Sequence, residues 1–128
     1  MTALSAAALY IGINILLLFF LSFRVVGRRQ SAKVSLGTGG DADLEIRTRA
    51  HGNAAEYIPI TMLGLFVMTQ FPAPVWAIHG VGAVFTAGRL LHAYGLSATV
   101  MPARALGMVL TWLGMLAAGV GVIWLAVA

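Results

Sequence analysis

The sequence predicts an all-α protein, an integral membrane bundle of four helices, and three observations carry that prediction. Of its 128 residues 60% are hydrophobic and 9% charged, where an ordinary soluble domain carries roughly 25% charged residues, and the mean hydropathy is +0.93. Asp, Glu, Lys and Arg are absent from residues 1–23, 57–88, 90–103 and 105–128. A hydrocarbon core of about 30 Å takes about 20 apolar residues of helix, so the central gap with its flanks has to fold back once. These features exclude a soluble globular protein and leave room for four spans in one domain, residues 1–128.

The first helix is expected at about residues 3–26. No basic residue precedes its apolar run, and Arg24, Arg28 and Arg29 follow it, the reverse of a signal peptide, so it is read as a retained helix. Residues 27–43 form the long polar segment, with a flexible loop at Gly37, Thr38, Gly39 and Gly40 and with Asp41 or Asp43 as the cap of the next helix. The second helix is expected at about 44–70, and Phe71, Pro72, Ala73 and Pro74 turn the chain, because closely spaced prolines remove backbone donors. The third is expected at about 73–94 and the fourth at about 101–128. Gly80, Ala83, Ala87 and Gly88 on the third helix, with Gly107, Gly114, Ala118 and Gly121 on the fourth, allow close helix approach, within one chain or between chains.

The basic residues lie by the two loops joining helices 1 to 2 and 3 to 4. The positive-inside rule puts both loops in the cytoplasm and both termini outside. The net charge of +4 and pI near 10.4 therefore express topology, and nucleic acid is not an expected partner. With no Cys, disulfides, thiolate nucleophiles and Cys-ligated metals are excluded. His79 and His92 are about 20 Å apart along one helix, so no metal site is expected.

The chemistry-bearing segment begins the second helix. On a 3.6-residue period Arg49, Asn53 and Glu56 share one face, with Tyr57 beside them. One stripe thus offers a cation, an amide, an anion and a phenol, types suited to a zwitterionic ligand with carboxylates and an amine. An ionisable residue such as Glu56 at membrane depth is by default a functional candidate; the alternative is an ion pair with Arg89 or Arg49 that locks the bundle. Pro59 frees a carbonyl near residue 55 and either opens a polar crevice or tilts the helix. Near the end of helix 3, Arg89 and His92 share a face and Tyr94 lies on another. Arg89 is read as reaching inward rather than snorkelling out.

The run Arg49-Ala50-His51-Gly52-Asn53-Ala54-Ala55-Glu56-Tyr57-Ile58-Pro59-Ile60, with Gly88-Arg89-Leu90-Leu91-His92, resembles the MAPEG superfamily, the membrane-associated proteins in eicosanoid and glutathione metabolism, and within it the short bacterial inner-membrane members. The resemblance implies a homotrimer of four-helix bundles binding glutathione at the cytoplasmic side, between neighbouring subunits. It implies that Arg49, Asn53, Glu56 and Tyr57 contact the tripeptide, Glu56 taking its amino group and Arg49 its carboxylates. His51, Arg89 and His92 match further positions around that site, and Arg28 and Arg29 match the basic pair ending helix 1. Leu96 departs from the pattern, falling where eicosanoid-making members place a second Tyr. The connection from Gly95 to Arg104 is shorter than theirs, so their thiol-activating arginine has no secure counterpart. Arg104 is the candidate substitute, with Arg28 and Arg29 as further suppliers of charge to a thiolate.

The expected activity is conjugation of glutathione to hydrophobic electrophiles in the bilayer, or reduction of lipid hydroperoxides with it. The partners implied are glutathione, hydrophobic small molecules or lipids, the membrane and further copies of the chain. Alternatives are a non-catalytic relative that binds a lipid or partner, and a small multidrug transporter. The transporter reading needs an acidic residue deep in helix 1, where this chain has Asn14.

Overall fold

Thr2 caps the first helix, its Oγ1 accepting from the Ser5 N–H at 3.1 Å, which satisfies one of the donors a helix start leaves free. From there the computed structural model, which describes residues 1–128, runs through α1 (Ala3–Ala32), α2 (Ala42–Met68), α3 (Val75–Ser97) and α4 (Met101–Val127), with no strand. Helix α1 is longer than the expected 3–26 because Gly27 weakens a helix by only about 1 kcal/mol and good helix formers follow it. The helix stops at Lys33, which turns left-handed (φ 56°) and closes the last turn through N–H bonds to the carbonyls of Arg29 and Gln30. The flexible loop is correspondingly shorter, and Asp41 rather than Asp43 caps α2, accepting from the Leu44 N–H at 2.7 Å. Helix α3 continues past the expected 94, so that three residues, 98–100, join it to α4.

Two helices, α1 and α4, are long and apolar enough to cross a membrane; α2 and α3 fall short of that criterion. The reason is local. The inner helices carry Arg49, His51, Asn53, Glu56, His79, Arg89 and His92, and these polar groups gather largely at one end. Outward-facing residues of α1 and α4 include Leu16, Phe19, Phe23, Leu116, Ile123 and Trp124, each more than half exposed. Such a surface suits a solvent as apolar as itself.

Helices α3 and α4 make the closest packing. A Cβ at Gly88 would lie 2.6 Å from the Thr111 nitrogen, and one at Gly114 2.7 Å from the Phe85 Cβ; Gly107 lies against the His92 backbone. These glycines serve packing within the chain, whereas Gly80, Ala83 and Ala87 face outward. Asn14, fully buried, ties α1 to α3 by donating to Thr86 Oγ1 at 2.8 Å, and Tyr10 pairs its hydroxyl with His79 Nδ1 at 2.9 Å. Helix α2 buries Ala50, Ala54, Ile58, Met62 and Leu65, a ladder at three- and four-residue steps that turns one face to the core. Its other face, with Glu45, Arg49, Glu56, Pro59, Ile60 and Leu63, remains exposed. The helix runs unbroken through Pro59, whose missing donor is tolerated on that outer face.

Candidate functional site

That uncovered face of α2 forms one wall of an open cleft of about 770 Å³ at the end where α2 begins and α3 closes. Glu45, Arg49, Asn53 and Glu56 come from α2, His92 and Leu96 from α3, and Arg104 from α4. The three- and four-residue spacing of the α2 residues puts them in one column. Glu45 extends the stripe one turn towards the helix start and was legible at the same spacing; Thr48 and Gly52 also line the wall.

No ion pair involves Glu45, Glu56, Arg49 or Arg104: the three salt bridges of the chain join Arg28 to Asp41 (2.6 Å), Arg28 to Asp43 (3.3 Å) and Arg47 to Asp43 (3.0 Å). Glu56 therefore does not lock the bundle through Arg89 or Arg49. Two carboxylates and two guanidinium groups are presented, unpaired, in a cleft that Thr48, Asn53 and His92 also line with polar groups.

Behind the wall lies Arg89, with none of its surface exposed. It turns inward, as expected, but does not itself line the cleft. Its Nη2 donates to Asn53 Oδ1 at 2.8 Å and to His92 Nδ1 at 3.4 Å, and its Nη1 donates to Thr111 Oγ1 at 3.3 Å. The guanidinium carbon is 5.7 Å from the centroid of the Tyr57 ring, a cation–π distance. Tyr57 thus packs against the arginine rather than lining the cleft. Thr111, from α4, had no signal in the sequence, because its role depends on a contact 22 residues distant in the chain.

Besides Arg89 and Tyr57, three more of the candidate residues stand apart from the cleft of their own chain. Arg28 is engaged with Asp41 and Asp43, and Arg29 donates to the carbonyl of Gly37 at 2.8 Å; both hold the loop that joins α1 to α2. His51, half-buried, does not line the cleft. The Asp41 carboxyl is held below the usual carboxylate range, first by the side-chain hydrogen bond from Arg28 and then by the Leu44 N–H.

Below the polar cleft the α2–α4 face continues as an apolar groove of about 300 Å³, lined among others by Ile60, Leu63, Val67, Met115 and Val122. A helical membrane protein with a charged cleft at one end and an apolar groove on the same face is the class that fold and site define. The chain belongs to the MAPEG family, whose model matches residues 7–124. It is 39% identical over 118 residues to the inner membrane protein YecN from two strains of Escherichia coli, the match covering 92% of this chain and 90% of that protein.

Proposed function

We propose that the protein is a membrane-bound, glutathione-dependent transferase or peroxidase, acting on hydrophobic electrophiles or lipid hydroperoxides that partition into the bilayer. The observation that carries this reading is the set of unpaired charges in the cleft: Arg49 and Arg104 beside Glu45 and Glu56. Glutathione has two carboxylates, one ammonium group, amides and a thiol, so a site with cations, anions and amide partners matches it group by group. Arginine's planar fork suits bidentate carboxylate binding, and a carboxylate such as Glu56 suits the ammonium group.

The thiol needs ionising, since a free thiol with a pKa of about 8.5 is mostly protonated at pH 7 and nearby cations favour the thiolate. With Arg49 taken by the carboxylates, Arg104 is the second guanidinium of the cleft, and in this reading it stabilises the sulfur anion. The chain has no cysteine of its own, so the nucleophile comes from the ligand. The apolar groove beneath the cleft offers an approach for a co-substrate from the bilayer. In the assembly we propose, a homotrimer, the glutathione site lies between copies, and Arg28, Arg29 and His51 of a neighbouring copy complete it. The membrane is the bacterial inner membrane, as the name of the Escherichia coli relative suggests, with the α1–α2 and α3–α4 loops in the cytoplasm and the termini in the periplasm.

The test is calorimetric titration of the detergent-purified protein with glutathione, with ultraviolet absorbance of the thiolate followed in parallel. Saturable binding with thiolate formation is expected, followed by turnover with a hydrophobic electrophile. Saturable binding without thiolate or turnover would leave a glutathione-binding protein without catalysis. Absence of binding would remove the reading altogether.

A further inference from the structure

Arg89 is fully buried and has no carboxylate within ion-pairing distance, an expensive arrangement for a cation. Its partners, and the direction in which each is forced to bond, show what the arrangement does. Guanidinium groups only donate. Asn53 must therefore turn its oxygen to Arg89, at 2.8 Å, and His92 must present an unprotonated Nδ1, at 3.4 Å. Both side chains line the cleft. Neither Asn53 Nδ2 nor His92 Nε2 has a partner within the chain, and neither is among the buried unpartnered atoms, so both open on the cleft. With Nδ1 accepting, the His92 proton sits on Nε2.

We infer that Arg89 is a positioning residue that sets the hydrogen-bond polarity of the cleft wall: it turns Asn53 and His92, each able to donate or accept, into donors aimed at the ligand. The wall then recognises acceptor groups, whether carboxylate oxygens, amide carbonyls or a thiolate. Thr111 steadies the device from α4. Its hydroxyl donates to the Gly107 carbonyl at 2.8 Å, leaving its oxygen to accept from Arg89. The other charged groups facing His92 are Arg104 of α4 and Glu45, Arg49 and Glu56 across the cleft on α2. They surround the ligand space, while Arg89 alone holds the far side of the ring.

The part of this inference that concerns ligand affinity rests on the glutathione reading; the tautomer does not. The tautomer is read from the 15N spectrum of histidine-labelled, detergent-purified protein at neutral pH, with the His92 signal identified by its loss in His92→Gln. The wild type is expected to carry one proton, on Nε2, and Arg89→Met to show a mixture of tautomers. An imidazolium or an Nδ1–H form in the wild type, or an unchanged spectrum in a folded Arg89→Met, overturns the inference.

Glutathione calorimetry supplies the second arm. Asn53→Asp keeps an acceptor for Arg89 but replaces the cleft-facing donor with an acceptor, so it is expected to bind glutathione about tenfold more weakly than Asn53→Ala, although Asp is the closer mimic in shape. Equal or tighter binding by Asn53→Asp overturns the polarity. If glutathione binds no version of the protein, the ligand reading fails and the spectra alone decide the role of Arg89.

Discussion

Two charged regions share the first turns of α2, and they are built on opposite terms. At the α1–α2 junction the arginines and aspartates are satisfied inside the chain: Arg28 and Arg47 are paired with Asp41 and Asp43, and Arg29 bonds loop carbonyls. On the other side of the same helix Glu45, in its first turn, and Arg49 and Glu56, further along, face the cleft with Arg104 and make no ion pair. The first region is organised by folding, and its arginines already have partners within their own chain. The second leaves its charges available, so it gains most from a ligand that carries the complementary groups.

The widest separation between the two regions comes from Glu56→Gln and Arg49→Gln. Each removes a charge that no partner in the chain satisfies, so glutathione affinity should fall roughly ten- to a hundredfold, while helical content by circular dichroism and the melting midpoint in detergent stay at the wild-type values. Calorimetry and thermal melting on the same preparations check this. Loss of binding together with loss of folding would erase the distinction, for it would make the cleft charges structural as well.

A change to the frame behind the cleft should do the reverse. Gly88→Val forces a side chain into a space where even a Cβ lies 2.6 Å from the Thr111 nitrogen. Overpacking of this kind costs about 1–3 kcal/mol, and the displaced α3–α4 pair should lower the melting midpoint before binding is considered. Gly80→Ala, on the outward face where an added Cβ meets nothing within 4 Å, is the control. A monomeric preparation that tolerates Gly88→Val as well as Gly80→Ala would mean that α3 and α4 are not held at this distance.

The contrast between the regions was only half legible in the sequence. The apolar runs and proline turn gave four helices, and the spacing of Arg49, Asn53 and Glu56 gave the stripe, because both follow from local periodicity. What the sequence could not supply was the allocation of cations. Arg28, Arg29 and Arg104 all stood as candidates near the thiol, yet α1 continues through Gly27 and carries Arg28 and Arg29 to the loop, where Asp41 and the loop carbonyls take them up. Arg89 was expected to reach inward, and it does, but it acts behind Asn53 and His92. That arrangement depends on Thr111, and so on the packing of two helices rather than on any motif. The same holds for the small residues: spacing alone did not separate Gly88, Gly107 and Gly114, which close the bundle, from Gly80, Ala83 and Ala87, which face out.

Substituting Arg104 probes the cleft more finely. Arg104→Gln retains length and hydrogen-bonding capacity but loses the charge, so bound glutathione should ionise less readily and the pH at which thiolate absorbance appears should rise. The effect on affinity should be smaller than that of Glu56→Gln, because in the proposed role Arg104 meets the sulfur rather than the termini of the tripeptide. An unchanged pH profile in Arg104→Gln would take that role from it and return attention to Arg28 and Arg29 of a neighbouring copy.

The smallest effect belongs to the satisfied region and has a definite sign. Asp41 has its folded-state pKa depressed by the Arg28 hydrogen bond and the Leu44 N–H, so it contributes stability that is present above the ordinary carboxylate pKa of about 4 and is lost as pH falls through the depressed value. Asp41→Asn can still cap α2 but cannot pair with Arg28. Its melting midpoint should therefore lie below that of the wild type at neutral pH, and the gap should close only once the pH falls well below 4, where the wild-type carboxyl takes up its proton. A gap that closes at pH 5 to 6 would point to a different titrating group, and no gap at neutral pH would show that the pair contributes nothing at this half-buried position. Either result would weaken the division drawn above, since the junction charges would then be no more committed to the fold than those of the cleft.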